Sequence, residues 1–472
     1  MLKMLMRDSL WYGLASVLQK LIPFLVIPLV ISRLGSEAFK AYDVCFLYAI
    51  LVSWLIVVGQ DNAASILYFD AGGEWGKPKV LLNGMLNQLV LLVVLGTVLY
   101  VFRDLFSAWL FNNDPSLTSF WPRALWILPG QVILNYCLNI LIWEGRKVKY
   151  LLLCIVQVVF TLALVYLSLV FWNGSTIDLF TIIVGVTGFC ASLGLYLVRH
   201  ALFTKESAWS PALAKQMLLL GAPFALTSFF QQALPSVDRY FLLHHHFNEQ
   251  LPVYALGSKM SGVLSVASGA FIIAFTPYSM KKIHEADGER ELSLLFRFVS
   301  VAALVAIPVI LLFKGWLLDF FADDRYSDAT YLLPFFFFAW VFDLFSYFWM
   351  LAIYRSRKSH LVLLIFLSGL VMVSVLNSIL VPRYGIYGAA ISLCITKFLL
   401  FIIPMYLLRK YFIVEIHYLS FMGFLALAVG ACWLILHLPV LQYVGILAII
   451  VLSTLFYLRK LFEANRRVFT YT

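Results

Sequence analysis

The chain has 472 residues, of which 63% are hydrophobic and 12% charged, and its mean hydropathy is +0.93. Soluble domains carry roughly 25% charged residues, so a water-soluble globular fold is excluded. Its 34 Lys and Arg exceed its 24 Asp and Glu to give a formal charge of +10, and the placement of that excess, described below, calls for no nucleic-acid partner.

Apolar runs long enough to cross a hydrocarbon core of about 30 Å recur from end to end. They predict an all-α polytopic membrane protein of about 14 transmembrane helices. In chain order these cover about 9–32, 40–68, 83–110, 119–143, 150–172, 177–200, 216–243, 253–279, 293–319, 330–354, 360–381, 385–408, 417–438 and 440–459. Only Leu438-Pro439-Val440 separates the last two, a tight hairpin or one broken element. No cleavable signal peptide is expected, because Met1 to Arg7 lead into the first span without an A-x-A-like site. The six cysteines (Cys45, Cys137, Cys154, Cys190, Cys394, Cys432) fall in apolar stretches at no metal or disulfide spacing and read as packing residues.

Lys and Arg alternate between the two sides of these spans. One set of connections, from Lys3/Arg7 through Lys77/Lys79, Arg146/Lys147/Lys149 and Arg409/Lys410 to Arg459/Lys460, holds 22 of them. The opposite set, including Arg33, Lys40, Arg103, Arg239 and Arg383, holds 8. The positive-inside rule therefore puts both termini in the cytoplasm, with the remaining positive charge able to attract anionic lipid.

An internal repeat is visible. Leu10-Trp11-Tyr12-Gly13-Leu14-Ala15-Ser16 compares with Leu219-Leu220-Gly221-Ala222-Pro223-Phe224-Ala225. Each is followed by polar residues (Gln19/Lys20, Gln231/Gln232), a proline (Pro28, Pro235) and an arginine (Arg33, Arg239). Six spans between the copies make the repeat parallel, so the expected organisation is two six-helix lobes around a central cavity. The N-lobe is 1–215, the C-lobe 216–411, and 412–472 is a two-helix C-terminal appendage.

Several stretches carry a family resemblance: "SLWYGLASVLQKLIPFLVIPLVISRLG", "GQDNAASILYF", "WEGRKVKY", "LLLGAPFALTSFFQQALPSVDRYFLL" and "LVPRYGIYGAAISLCITKFL". In this order and spacing, over residues 1 to about 410, the chain resembles the polysaccharide transporter branch of the MOP exporters, which holds the Wzx-type flippases for lipid-linked oligosaccharides. Pro382-Arg383-Tyr384-Gly385, Gly388-Ala389-Ala390 and Asp238-Arg239 are its most specific pieces. The resemblance implies alternating access between two bundles, no ATP hydrolysis, and an undecaprenyl-diphosphate-linked glycan as cargo in a bacterial inner membrane. The chain departs from that pattern at His244-His245-His246, where a small outward loop is usual, and in the polarity of "GQDNAA".

Charge at mid-bilayer costs at least ~2.5–3.5 kcal/mol and marks function by default. Lys20 lies about 11 residues, roughly 16 Å, into the first span. Ser9, Gly13 and Ser16 share its face, which suits a watered cavity, although a lysine pinning two helices to a carboxylate is the plainer alternative. Lys397 and Asp343 sit near the middles of spans twelve and ten and either neutralise one another or serve transport. Asp343, one turn from Tyr347, is also an ion-coupling candidate, as are Asp61 and Asp238. Lys259 is shallow enough to snorkel, yet Ser258, Ser261, Gly262 and Ser265 around it suit a cavity. Asp238 and Arg239 read most simply as a local ion pair, and Asp61 as solvated or capping a helix break. Lys20, Lys259 and Lys397 together outnumber Asp343, so a pyrophosphate head group is favoured over cationic drugs, with Arg239 and Gln231 as further cavity residues.

No G-x-x-x-x-G-K-[ST] loop occurs, and no nucleophile–base constellation is apparent, so neither ATP-driven transport nor enzymatic activity is expected. Consecutive histidines 244–246 diverge on any regular element and predict no metal site. Asn173-Gly174-Ser175 matches a glycosylation sequon, a pattern that also arises by chance. Pro23, Pro28 and Pro235 are hinge candidates, with Pro223 and Pro129-Gly130 as further kink positions. The first reading is a monomeric lipid-linked oligosaccharide flippase, with no cofactor and with proton or sodium coupling, working beside polysaccharide polymerase machinery. A cation-coupled multidrug antiporter is the alternative. A membrane glycosyltransferase or polymerase has less room, since no outward connection exceeds roughly a dozen residues.

Overall fold

A chain whose apolar runs enter lipid must satisfy every backbone N–H and C=O internally, and the helix does so within one segment. The computed structural model is accordingly 87% helix, with no strand among the described residues. Those residues are 2–70, 75–356, 358, 360–438 and 454; the side chains of 2–16, 20, 21, 270, 273, 274 and 277 fall outside the description. The expected span over 440–459 also lies outside the described residues.

The helices in chain order are α1 (Leu2–Val57), α2 (Gln60–Phe69), α3 (Lys77–Val101), α4 (Arg103–Phe111), α5 (Pro115–Leu125) and α6 (Ile127–Trp143). There follow α7 (Lys147–Tyr166), continued by a π-helical turn at Leu167–Phe171, then α8 (Thr176–Leu202), α9 (Pro211–His244), α10 (Leu251–Met260) and α11 (Gly262–Lys282). The last are α12 (Gly288–Leu311), α13 (Lys314–Phe321), α14 (Ala329–Ser356), α15 (His360–Leu407) and α16 (Tyr418–His437). Among the described residues nine helices are long and apolar enough to cross a membrane, or ten if α5 and α6, bent by 47°, form one span.

Two of these helices are too long for one crossing. At 1.5 Å per residue, the 48 residues of α15 would reach about 70 Å, more than twice a hydrocarbon core. The backbone breaks within it at Gly385 (φ 55°), and within α1 at Gly35 (φ 84°), in conformations that only glycine adopts without strain. Each break splits its helix into two runs, at the junctions where spans one to two and eleven to twelve were expected. Both follow an Arg-x-Gly triplet, Arg33-Leu34-Gly35 and Arg383-Tyr384-Gly385. By contrast α1 continues through Pro23 and Pro28, and α9 through Pro223 and Pro235.

Spans three and nine each end sooner than the hydropathy predicts. α3 stops at Val101 and α12 at Leu311, and a short helix follows each, α4 and α13. In α4 Leu105 and Trp109 face outward while Ser107 and Phe111 are buried. In α13 Trp316 and Phe320 are exposed while Leu317, Leu318 and Phe321 are buried. After each helix an aspartate caps the next turn, Asp114 accepting from Ser116 and Leu117 N–H and Asp323 from Arg325 N–H. Phe-Arg at 102–103 and Phe-Lys at 313–314 place a cation at the start of each, where its stem reaches the interface. This is a second trace of the internal repeat.

By internal contacts the chain divides into unit 1 (Met1–Ala255 and Phe366–Ile386) and unit 2 (Leu256–Ile365 and Tyr387–Thr472). Within unit 1, small residues let helices approach closely: Gly130 lies against Thr187 and Gly188, and Gly194 against Cys137. Within unit 2, α14 is buried over 72% of its most apolar window, and Phe296, Phe345, Phe348, Phe401 and Phe421 interlock edge-on and stacked around it. Five of the six cysteines are buried and all six are free thiols.

Candidate functional site

Near the C-terminal end of α9, charged and polar groups from four segments of unit 1 converge. The Arg239 guanidinium meets the Asp43 carboxylate at 3.4 Å, donates to the Pro235 carbonyl at 2.9 Å, and lies 5.1 Å from the centre of the Tyr254 ring. Asp238 accepts instead from the Tyr254 hydroxyl at 2.5 Å and from Asn377 Nδ2 at 2.9 Å. Asp43 and Arg239 are 2% exposed and Asp238 is wholly buried. The local Asp238–Arg239 pair expected from sequence is thus corrected: neighbours on a helix point about 100° apart, so each side chain finds its partner on another helix. Sequence reading missed Asp43, although a lone carboxylate in the apolar "KAYDVCFLY" is a signal of the same kind as Asp343.

Beside this cluster Lys40 bridges Glu37 at 2.8 Å and Asp114 at 3.1 Å, and Asn248 donates to Asp114 at 2.9 Å. Burial opposes the charge on Asp114, but the hydrogen bond from Ser116 and the Lys40 ammonium outweigh it and hold the carboxyl below the usual range. The Tyr48 hydroxyl donates to the Ser236 carbonyl at 2.9 Å. Lys40 is therefore buried at 3% exposure, where sequence had it as a connection charge.

A second polar cluster lies at the other end of α9. After the break at Val58 and Gly59, both with positive φ, α2 opens with Gln60, Asp61 and Asn62. Asp61 lies in the first turn of α2 and accepts from Gln88 Nε2 at 2.7 Å. Gln60 donates to the Met217 carbonyl at 3.2 Å, and Asn87 donates to both Gln60 and the Ala214 carbonyl. The contact is close: a Cβ on Gly59 would stand 2.1 Å from the Gly221 carbonyl oxygen, which leaves room only for hydrogen.

In unit 2, Lys397 donates directly to Asp343, joining α15 to α14 as the neutralising alternative required. Lys259 is half-buried two residues before Ser261, which separates α10 from α11 and receives a hydrogen bond from Trp340 Nε1 at 3.1 Å. An apolar cleft of about 660 Å³ lies along α14, the second run of α15 and α16, lined by residues that include Phe338, Phe342, Phe398 and Trp433. Gln231 is exposed on α9, and Gln19 receives its partner from α7, donating to Gln157 at 3.3 Å. The Lys20 side chain is outside the described residues. Among the described residues no three His, Cys, Asp or Glu groups gather as metal ligands.

A family model described as polysaccharide biosynthesis protein matches residues 5–281, more than half of the chain. An uncharacterized membrane protein of Haemophilus influenzae is 23% identical over 343 residues, 70% of this chain and 79% of its own. A protein of the Lsg locus of the same organism is 23% identical over 325 residues, 65% of this chain and 73% of its own. Among solved structures, the lipid II flippase MurJ in an inward closed conformation superposes with a TM-score of 0.72 at 12% identity, covering 98% of this chain and 99% of its own. An inward-facing multidrug resistance MATE family transporter of the MOP superfamily gives 0.68 at 14% identity, covering 86% and 95%.

Proposed function

The chain belongs to the polysaccharide biosynthesis protein family, and from that premise we propose that it is a flippase. Its cargo is an undecaprenyl-diphosphate-linked oligosaccharide, moved from the cytoplasmic to the periplasmic leaflet of a bacterial inner membrane by alternating access. The observation that carries this reading is that nearly the whole chain follows the course of a lipid II flippase. The family's link to polysaccharide synthesis supplies the glycan, and the uneven Lys and Arg distribution supports cytoplasmic termini.

Two of the cationic head-group candidates are already matched to carboxylates, Lys397 to Asp343 and Arg239 to Asp43. Lys20, on the first run of α1, is the proposed anchor for the pyrophosphate, with Gln231 as a polar cavity residue. A single ammonium acts on phosphate as a point charge and lets it leave on the far side. Coupling to H⁺ or Na⁺ is assigned to Asp238. Asp343 is neutralised by a direct contact with Lys397, whereas Asp238 takes its hydrogen bonds from the uncharged Tyr254 and Asn377 and the adjacent Arg239 pairs with Asp43. The Asn377 Oδ1 acceptor is also buried there without a hydrogen-bond partner. Asp61, held by Gln88, is the second candidate.

The test is gene deletion in the host, extraction of polyprenyl-linked saccharides, and complementation with wild type, Lys20→Ala and Lys20→Arg. An inward-facing lipid-linked oligosaccharide should accumulate, be cleared by wild type, and be cleared poorly by Lys20→Ala. Clearance by Lys20→Ala equal to wild type would keep the flippase and remove the anchor. No accumulation, with altered sensitivity to cationic drugs, would favour the multidrug antiporter that the MATE likeness allows.

A further inference from the structure

Where α15 hands over to α16, unit 2 carries a second cleft, of about 520 Å³, lined by Ile402, Ile403, Tyr406, Leu407, Arg409 and Tyr418. Ile403, Tyr406, Leu407 and Tyr418 are all exposed, so the walls present apolar side chains and two phenol rings outward. The Arg409 guanidinium stands 4.5 Å from the centre of the Tyr406 ring. Next along the chain, Lys410 and Lys358 lie 5.2 and 4.9 Å from the Tyr411 ring, and Lys358 donates to its hydroxyl at 3.0 Å. That hydrogen bond, with the two ammonium charges, holds the half-buried Tyr411 phenol below its usual range.

The basic residues that meet the connection from α15 to α16 fall into two kinds. Arg297 meets Glu415 at 2.9 Å and Arg355 meets Glu289 at 3.0 Å. Among the described residues no carboxylate pairs with Arg409, which lines the groove, or with Lys410 and Lys358, which share the Tyr411 ring next along the chain. Tyr418 opens α16, and its N-cap His417 makes no side-chain cap hydrogen bond, so the N-terminal end of a 20-residue helix adds further positive character.

We infer that this cleft holds an anionic phospholipid of the surrounding bilayer. Its acyl chains lie on Ile402, Ile403 and Leu407, and its phosphate is received by Arg409, Lys410 and Lys358, with Tyr406 and Tyr418 at headgroup depth. The basic residues belong to the connections that charge counting assigns to the cytoplasmic side, where such a headgroup is met. The occupant is a resident lipid and not cargo, so the inference stands apart from the flippase reading.

The test uses the purified full chain in mild detergent, titrated with phosphatidylglycerol or phosphatidylethanolamine and read by native mass spectrometry. Phosphatidylglycerol should be retained, and the double variant Arg409→Ala/Lys410→Ala should weaken its retention about thirty-fold, each basic residue near an anionic surface contributing roughly fivefold. Phosphatidylethanolamine should bind weakly to both proteins. Equal retention by the double variant, or equal binding of the two headgroups, overturns the inference. Displacement of phosphatidylglycerol by inorganic pyrophosphate would show that the cations take a free phosphate and would overturn it as well. Should the double variant not fold, Ile403→Trp fills the groove from an exposed position. It must lower phosphatidylglycerol retention without changing the melting temperature.

Discussion

Replacing Arg239 by methionine tests the buried pair most directly. The guanidinium and the Asp43 carboxylate are 3.4 Å apart with side chains 3% and 0% exposed. At an effective dielectric of about 20, two unit charges at that distance attract by about 5 kcal/mol. Losing one partner leaves the other charge buried, and such losses run to ~3–5 kcal/mol. The same substitution strips the hydrogen bond to Pro235 and removes a cation whose charge acts on both Asp43 and Asp238. The double variant Asp43→Asn/Arg239→Met removes both charges and should recover most of the loss. Reversible unfolding of the purified protein in mixed detergent and SDS gives all four corners of the cycle. The expected coupling is at least ~2 kcal/mol. A value under ~0.5 kcal/mol, with the two single losses simply adding, would refute the reasoning, because independent sites add within that margin.

Gly59→Ala should cost at least ~3 kcal/mol, since its Cβ would meet the Gly221 carbonyl oxygen at 2.1 Å in a left-handed backbone. Gly35→Ala, with nothing within 4 Å of its Cβ, should show only the ~1–3 kcal/mol of backbone strain. Equal losses in thermal melts would remove the claim of close packing on α9. Lys397→Met should lower stability by roughly 2 kcal/mol, while Asp343→Asn/Lys397→Met should restore it and still clear lipid-linked saccharide in the deletion host. A folded double variant without transport would give the pair a working role. For Asp114, the depressed carboxyl contributes stability above its unfolded pKa of about 3.9 that is lost as pH falls through the folded value. Wild type should therefore lose melting temperature on acidification below about pH 4. Asp114→Asn should melt lower at neutral pH and show a flatter acid limb.

Much of the architecture was readable because hydropathy and the bilayer fix what a backbone can do: an apolar run in lipid is a helix, whatever its neighbours. The Lys397–Asp343 contact was one of two alternatives the sequence left open, because isolated opposite charges at similar depth have few other partners. Asp43 and Arg239 were not, since pairing within a helix bundle depends on which helices touch, and sequence proximity pointed to Asp238. The breaks at Gly35 and Gly385 appeared only as turns between spans. The hinge candidates were placed at prolines, and α1 and α9 stay helical through theirs; the breaks within α1 and α15 fall instead at glycines, which take the positive φ that proline cannot. The short helices α4 and α13 were hidden for a related reason: their exposed Leu105, Trp109 and Trp316 read as continued spans until the cation at each start is weighed.

These pairings change the argument for an anionic cargo. A count of intramembrane charges gave three lysines against one carboxylate, and so a positive cavity. Lys397 and Asp343 cancel, and Arg239 is committed to Asp43, so no broad positive field remains from those groups. The proposed preference for pyrophosphate then rests on Lys20. That makes the proposed selectivity local: Lys20→Ala should remove phosphate capture. Lys20→Arg, which keeps the charge but adds a planar fork able to grip two oxygens, should bind cargo and release it slowly. A complementation assay in which the arginine variant clears lipid-linked saccharide as fast as wild type would show that charge alone sets the rate, and that release is not limited by the grip on phosphate.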